Sequence, residues 1–423
     1  MKVDASIFKA YDIRGVVDRT LTEDAVRAVG LMLDTMAHDA GVKRFNVGRD
    51  GRLTGERLQN ALVEGIVSTG MDVLDIGAVP TPVRYYATKH FDCGTGVAVT
   101  GSRNSPEYNG LKMMVAGVTL FADKIQSIRE RIERKGWCVA EKPGCIDCPT
   151  MLHILSKLNI EVVPLYRDVD GHFPNHHPNP SKPKNLEALI NEVKEVGADY
   201  GFALDGDGDR LGVVTNAGEV IYPDRLMMLF AEDILRTHPD AQIIYNVKCS
   251  RKLVDWVRAK GGEPVISPTG HSLLKAKLRE TAAPFAGEMS GHLFFNDERW
   301  AGFDDGLYSA VRLLEILSRS ESSSPVLQKL PNAVNTPEIR IPTEEDGNKA
   351  FIAAFQKECR FPGAESVITI DGVLVSSGRT GLRSHALPIR RPWWSYVSKA
   401  TRRNRSSASS SASLPRCFAS TLL

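Results

Sequence analysis

Long apolar runs are missing from this chain. No stretch of about 18 apolar residues occurs in its 423 residues, so no membrane-spanning helix is expected. Residues 1–15 lack the apolar core and cleavage pattern of a leader, which predicts no signal peptide and a cytoplasmic protein. Cysteine is scarce and odd in number: Cys93, Cys138, Cys145, Cys148, Cys249, Cys359 and Cys417. That excludes a disulfide scaffold and suits reduced thiols. Cys145 and Cys148, with Cys138 nearby, have no second close pair to complete a zinc site. Acid is absent after Asp371, where nine of the 53 Lys and Arg residues lie, so residues 1–371 carry 44 bases against all 51 acids. A mildly acidic body with a basic tail argues against a nucleic-acid surface.

What is present is ordinary for a globular protein: 42% hydrophobic and 25% charged residues. Residues 22–40 have amphipathic-helix spacing, with Thr22 as N-cap. A strand at 45–47, a helix at 55–69 and strands at 73–76 and 96–99 follow, the last two running into polar turns. The pattern restarts near Thr150, with a helix at 150–158, a strand at 161–166, a Pro- and His-rich loop at 172–184 and a helix at 185–195. Strands at 200–204 and 211–215 close this unit around a very acidic turn. It restarts again at Pro223, with helices at 223–237, 250–260, 271–280 and 303–318 and strands at 243–247 and 264–266. Residues 331–337 read as a linker and 338–373 as strand–helix–strand. Beyond Gly372 no period of about 2 or 3.6 residues survives, and the Ser/Arg-rich composition predicts disorder. The expected fold is three similar α/β domains with mixed sheets in series plus a smaller, incomplete α+β C-terminal domain. The expected boundaries are 1–149, 150–219, 220–332 and 333–423, the second domain being shortened.

Three stretches carry chemistry. In Leu204-Asp-Gly-Asp-Gly-Asp-Arg210, three carboxylates alternate on a Gly-rich turn after an apolar strand. Hard oxygens converging in this way suit Mg²⁺, which needs a further anionic ligand such as phosphate. An EF-hand fails, because its sixth position would be Arg210 and its twelfth Asn216. A merely solvated acidic turn would crowd three like charges without a cation. In Thr100-Gly-Ser-Arg-Asn-Ser-Pro-Glu-Tyr-Asn-Gly-Leu-Lys112, Ser102 sits on a polar turn after a strand, where a nucleophile is presented to a cleft. Lys112 is within reach to stabilise phosphate charge or to move a proton. In Gly287-Glu-Met-Ser-Gly-His292, a carboxylate, a hydroxyl and an imidazole share one loop, suited to vicinal sugar hydroxyls. Tyr11, Arg14, Lys248 and His271 add the charge neutralisation that phosphoryl transfer requires.

In this order the pieces resemble the α-D-phosphohexomutase family over residues 1 to about 372, together with Tyr11-Asp-Ile-Arg-Gly15, Val47-Gly-Arg-Asp-Gly-Arg52 and Thr269-Gly-His271. Met289 resembles the phosphomannomutase/phosphoglucomutase branch, where the phosphoglucosamine mutase branch usually has glutamine. The resemblance implies a phosphoserine at Ser102 that completes a single Mg²⁺ shell with Asp205, Asp207 and Asp209. It implies catalytic roles for Ser102, Lys112, Arg210 and His292, and sugar-phosphate contacts from Tyr11, Arg14, Lys248, Thr269, Gly270, His271, Glu288, Met289, Ser290 and Gly291. Hexose 1-phosphate and 6-phosphate would interconvert through a 1,6-bisphosphate of glucose or mannose, which also serves as activator, in a monomer without nucleic-acid or membrane partners. The alternatives are a phosphoglucosamine mutase or an impaired sugar-phosphate-binding relative. Three departures stand out. Arg103 and Ser105 replace the family's His and Pro in the serine loop. The second domain's Asp-x-Gly-Asn-Gly turn is missing between Gly136 and Thr150. No Arg-x-Ser-Asn-Thr loop follows Asp371, as if the tail were read in a shifted frame, which predicts a weakened hold on the distal phosphate.

Overall fold

The structure, a computed structural model, describes residues 3–68, 71–134, 163, 165–166, 170–319, 324–335, 339–342, 347–358, 360–362, 364–376, 383–388 and 393–400. Helix Glu23–Asp39 begins where the sequence predicts: Thr22 Oγ1 accepts Ala25 N–H at 3.2 Å, and Glu23 and Asp24 occupy the first turn, where negative charge favours the helix dipole. Its buried Val26, Val29, Met32 and Leu33 share a core with Leu58, Leu62 and Ile66 of helix Gly55–Val67. The two helices come close at glycines. A Cβ on Gly30 would meet Leu62 O at 2.5 Å, and one on Gly65 would strike the Arg27 carbonyl.

Beneath them lie β1 (Ile13–Val16), β2 (Arg44–Arg49), β3 (Asp72–Ala78), β4 (Gly94–Val99), β5 (Tyr108–Val115) and β6 (Val118–Thr119). Their order is β1-β5-β4-β2-β3, with β6 on β5. β2 runs parallel to β3 and β4, while β5 is antiparallel to β4 and β1, so the sheet is mixed. Helices Thr81–His90 and Asp123–Arg134 complete this first unit.

In the second unit, β7 (Tyr200–Leu204) and β8 (Leu211–Thr215) pair antiparallel, and β9 (Val220–Ile221) adds to β8. Helix Glu187–Val196 backs them and ends on left-handed Gly197. The helix expected at 150–158, most of the strand expected at 161–166, and residues 136–150 lie outside the described residues. The third unit orders β10 (Gln242–Asn246), β11 (Glu263–Ser267), β12 (Phe285–Gly287) and β13 (Leu293–Phe295) as β11-β10-β12-β13, with only the β12–β13 pair antiparallel. Helix Pro223–Leu235 is buried along most of its length, and Phe230 packs on Phe285 and Phe295. The helix expected from 303 starts at Gly306, because Asp305 caps it by accepting Tyr308 N–H at 2.8 Å.

The C-terminal segment corrects two expectations. β14 (Val334–Asn335), β15 (Ile339–Pro342), β16 (Ser366–Ile368), β17 (Val373–Ser376), β18 (Arg383–Pro388) and β19 (Trp393–Ala400) form one sheet in the order β14-β19-β18-β17-β16, with β15 also on β19. The expected linker at 331–337 therefore contains a strand. Residues 373–400, expected to be disordered, supply three. Antiparallel pairing is made by the main chain, with His385 opposite Val397 and Ala386 opposite Tyr396, and needs no apolar period to set it. Residues 401–423 lie outside the described residues. Among the described residues, no helix is long and apolar enough to cross a membrane.

Candidate active site

The acidic turn is a hairpin loop. Leu204 pairs with Leu211, so residues 205–210 must reverse the chain, which they do with Gly208 at φ 72°. Asp205, Asp207 and Asp209 are buried, and one oxygen of each lies within 4.8 Å of the others. Lys112 Nζ donates to Asp207 Oδ2 at 2.6 Å and to Asp209 Oδ2 at 2.5 Å. Arg210 Nε stands 3.5 Å from Asp205 Oδ2 and 3.7 Å from Asp209 Oδ1. Two cations thus face three carboxylates. Asp207 Oδ1 and Asp209 Oδ1 are buried and accept no hydrogen bond among the described residues. Such orphaned oxygens are costly, and an all-oxygen donor set fits a hard ion such as Mg²⁺.

Burial, reinforced by the charges of Asp207 and Asp209, pushes the Asp205 carboxyl well above the usual range. Burial acts in the same sense on Asp207, but the Lys112 ammonium prevails and holds it below. Burial likewise opposes the charge on Lys112, yet Asp207 and Asp209 keep its pKa above the ordinary lysine value.

The serine turn leaves β4 through Thr100 and Gly101. Ser102 is buried with φ 48°, a left-handed backbone that costs energy unless the surroundings enforce it. Asp50 Oδ2 accepts Thr100 Oγ1–H at 2.7 Å and Gly101 N–H at 3.1 Å, and Thr100 Oγ1 accepts Ser102 N–H at 2.8 Å. Ser102 Oγ donates to Asp205 Oδ2 at 3.3 Å and accepts from Arg210 Nη2 at 3.4 Å. A Cβ on Gly206 would stand 2.9 Å from Ser102 O, so glycine lets the acidic turn close on the serine turn. The hydroxyl of the first unit and the acids of the second meet.

The third unit adds the Gly287–His292 loop after β12. Glu288 Oε1 accepts Gly270 N–H at 2.5 Å, and its Oε2 accepts Ser290 Oγ–H at 2.7 Å. Gly291 takes φ 97°, and its carbonyl accepts Leu211 N–H at 3.2 Å. His292 Nε2 accepts Arg210 Nε–H at 2.9 Å. Its proton therefore sits on Nδ1, 2.8 Å from Asp304 Oδ2. Asp304 also holds Lys275 Nζ at 2.6 Å. His271 stacks on His292 with centroids 5.5 Å apart; burial, and then the Lys275 charge, pushes its pKa well below the ordinary value.

Around this centre, Arg14 pairs with Asp12 at 2.6 Å and donates to Gly101 O at 3.2 Å. Tyr11 Oη–H donates to Thr269 O at 3.0 Å, and Thr269 N–H donates to Asp371 Oδ2 at 2.8 Å. Half-buried Lys248 acts on the Asp371 carboxylate. Met289 N–H donates to Asn246 Oδ1 at 3.2 Å, while its side chain packs on the third unit's core, which leaves the main chain as its contribution to the loop.

Sequence reasoning missed Lys275 and Asp304, and quoted Asp50 and Arg52 within Val47-Gly-Arg-Asp-Gly-Arg52 without giving them a role. The signal for Asp50 and Arg52 was available, since Arg49-Asp-Gly-Arg52 is a Gly-containing turn after an apolar strand, as the serine turn is. Nor did it single out Arg84 on helix Thr81–His90. Arg84 is fully buried, its three nitrogens make no hydrogen bond among the described residues, and it lies over the Tyr85 ring at 3.7 Å. Burial pushes its pKa down.

Comparison with known proteins agrees with the division into α/β units. Residues 5–137, 146–218 and 222–334 match, in turn, alpha/beta/alpha domains I, II and III of phosphoglucomutase/phosphomannomutase. A phosphomannomutase/phosphoglucomutase from Pseudomonas aeruginosa is 47% identical over 403 residues, covering 88% of this chain and 87% of that protein. A phosphoglucomutase from Neisseria gonorrhoeae is 43% identical, covering 88% of each. The crystal structure of a phosphoglucomutase/phosphomannomutase family protein from Burkholderia thailandensis superposes with a TM-score of 0.87 at 41% identity, covering 95% of this chain and 94% of that one. The chain belongs to the phosphoglucomutase/phosphomannomutase family.

Proposed function

We propose that this chain interconverts hexose 6-phosphate and hexose 1-phosphate, of mannose, glucose or both, through a phosphoserine at Ser102 and a hexose 1,6-bisphosphate. The observation that carries this is Ser102 Oγ, 3.3 Å from Asp205 Oδ2, at the edge of three buried carboxylates. In the forward transfer, a sugar hydroxyl attacks the serine-borne phosphorus. The new P–O(sugar) bond forms as the P–O(Ser) bond breaks, and the hydroxyl proton passes by way of an oxygen of the transferring phosphoryl group to the leaving Ser102 Oγ, while His292, accepting Arg210 Nε–H, orients that guanidinium. The bisphosphate turns over in the cleft, and the reverse transfer returns its other phosphoryl group to Ser102. Lys112 and Arg210 neutralise the oxygens of the group in flight, which is most of what phosphoryl transfer asks of a protein. Glu288 and Ser290 hold the sugar hydroxyls in both orientations. Tyr11, Arg14, Lys248 and the Thr269-Gly270-His271 turn frame the sugar phosphate, with the Met289 and Gly291 main chain shaping the loop.

Asp205, Asp207, Asp209 and the phosphoserine would hold one Mg²⁺, which when bound withdraws charge from the bridging oxygen. Glucose or mannose 1,6-bisphosphate primes Ser102 as activator. This reading divides the chain at 1–149, 150–219, 220–332 and 333–423, and has it act in the cytoplasm as a monomer without nucleic-acid or membrane partners.

A coupled assay tests it: glucose 1-phosphate and mannose 1-phosphate, with Mg²⁺, with and without glucose 1,6-bisphosphate. Turnover stimulated by the bisphosphate is expected, with a loss of at least about 10³-fold in Ser102→Ala. Full activity in that variant sinks the phosphoserine. Preference for glucosamine phosphate would move the chain to the glucosamine branch.

A further inference from the structure

The two replacements in the serine loop leave a question. Arg103 and Ser105 stand where the family's His and Pro would stiffen the turn, yet Ser102 is held in a left-handed backbone at φ 48°. Arg52 supplies the restraint. Its Nη2 donates to Ser102 O and Asn104 O, both at 2.7 Å, and its Nη1 donates to Ser105 O at 2.7 Å and Tyr108 O at 2.9 Å. One buried guanidinium thus gathers four carbonyls of the turn, while Nε pairs with Asp50 Oδ2 at 3.2 Å. Lysine cannot do this, because its three donors diverge from a point rather than spread in a plane.

The face of that guanidinium is covered by the second unit. Phe173, in the Pro- and His-rich loop, lies 5.2 Å from it, and Phe173 itself is left-handed at φ 53°, an uncommon state for a bulky residue. Beside it, a Cβ on Gly171 would meet Leu53 N at 2.6 Å and Gly51 O at 2.8 Å, so this loop is pressed against the main chain on both sides of Arg52. Two strained residues therefore meet one cation, Ser102 through its in-plane donors and Phe173 over its face, one in each unit.

We propose that Arg52 is a positioning residue for Ser102, and that Phe173 is the cover that makes it one. Docking of the second unit's loop, by excluding water from the guanidinium, directs its donors onto the serine turn. The nucleophile's geometry is then set by the same domain contact that delivers the acidic triplet. This rests on the reading of Ser102 as phosphoryl carrier, so the test has a readout that does not need chemistry.

The full-length chain and its Arg52→Lys, Phe173→Ala and Phe173→Tyr variants are compared by amide hydrogen exchange over residues 101–105 and by steady-state kinetics with glucose 1-phosphate. Phe173 is only half-buried, so its variants should fold even where Arg52→Lys does not, and exchange in helix Pro223–Leu235 reports this directly. Phe173→Ala should speed exchange in the serine turn by about tenfold, as expected for loss of a shielded cation–π contact. It should lower kcat by about 10- to 100-fold with KM within about twofold, as for a misplaced reacting group. Phe173→Tyr should restore both. Unchanged exchange and unchanged kcat in Phe173→Ala overturn the proposal, as does failure of tyrosine to rescue. If the parent chain transfers no phosphate but Phe173→Ala still loosens residues 101–105, the mutase reading falls and the clamp stands.

Discussion

Two buried cations in this protein live opposite lives. Lys112, between the first and second units, meets the carboxylates of Asp207 and Asp209 within 2.6 Å. Arg84, on the first unit's helix Thr81–His90, lies over Tyr85 and makes no hydrogen bond among the described residues; the carboxylate of Asp304 acts on it only at a distance. Burial penalises both charges. At Lys112 the penalty is offset by two carboxylates in direct contact. At Arg84 the support comes from Tyr85, with Asp304 acting more weakly. A buried charge therefore marks a reacting centre only when the groups around it would be unstable without it.

Removing the cation that is paired is expected to cost the most. Lys112→Met should destabilise the chain by about 3–5 kcal/mol in Mg²⁺-free buffer, because it leaves two buried carboxylates facing each other. Mg²⁺ should recover part of that in urea unfolding. A loss below about 1 kcal/mol would erase the contrast. Removing the unpaired cation should have the opposite sign. Arg84→Leu is expected to gain roughly 1–3 kcal/mol and raise the unfolding temperature by several degrees in calorimetry. A lower melting point would mean that Arg84 has a partner of real worth.

A third test asks whether burial, reinforced by the like charges of Asp304 and Asp209, is felt by the fold. Burial pushes Asp305 up to about 7, against the hydrogen bonds its carboxylate accepts from the main chain of Tyr308 and Leu307. Unfolded, it titrates near 3.8, so across that window the native chain retains a proton that the unfolded chain has released. Its contribution to stability is therefore complete below the lower value and is lost as pH rises toward the upper one. Asp305→Asn keeps the helix cap and should flatten that slope in urea unfolding measured from pH 4 to pH 7. An unchanged slope would place the titration elsewhere.

Much of this centre was legible in the sequence because its chemistry is local. Asp205, Asp207 and Asp209 alternate with glycines, and the turn that brings them together lies within one hairpin. Ser102 was legible for the same reason. Arg52 was seen only as part of the Val47–Arg52 motif, because its work is done 50 residues on, at the Ser102 turn, and Asp304 stood outside every motif although its partner His292 lies in one. In the fold, helix Glu23–Asp39 announced itself through Thr22 and a clean apolar face. Helix Thr81–His90 starts on Pro80-Thr81-Pro82 and carries Thr and Tyr, which favour helix weakly. Helix Asp123–Arg134 has Ile125, Ile128 and Ile132 buried among charged neighbours, too thin a stripe to stand out. Strands β18 and β19 were hidden because register across a hairpin leaves no mark on composition.

The second and third units are stitched by main chain. Leu211 N–H reaches Gly291 O at 3.2 Å, Gly306 N–H reaches Gly208 O at 3.0 Å, and Arg210 bridges to His292. The acidic loop and the Gly287–His292 loop therefore cannot drift apart without unzipping backbone. The C-terminal segment meets the third unit differently, through side chains such as Arg251 on Glu365 and Asp371 on Thr269. If the molecule breathes to admit a substrate, the seam that parts should be this last one, with the second and third units travelling as a solid piece.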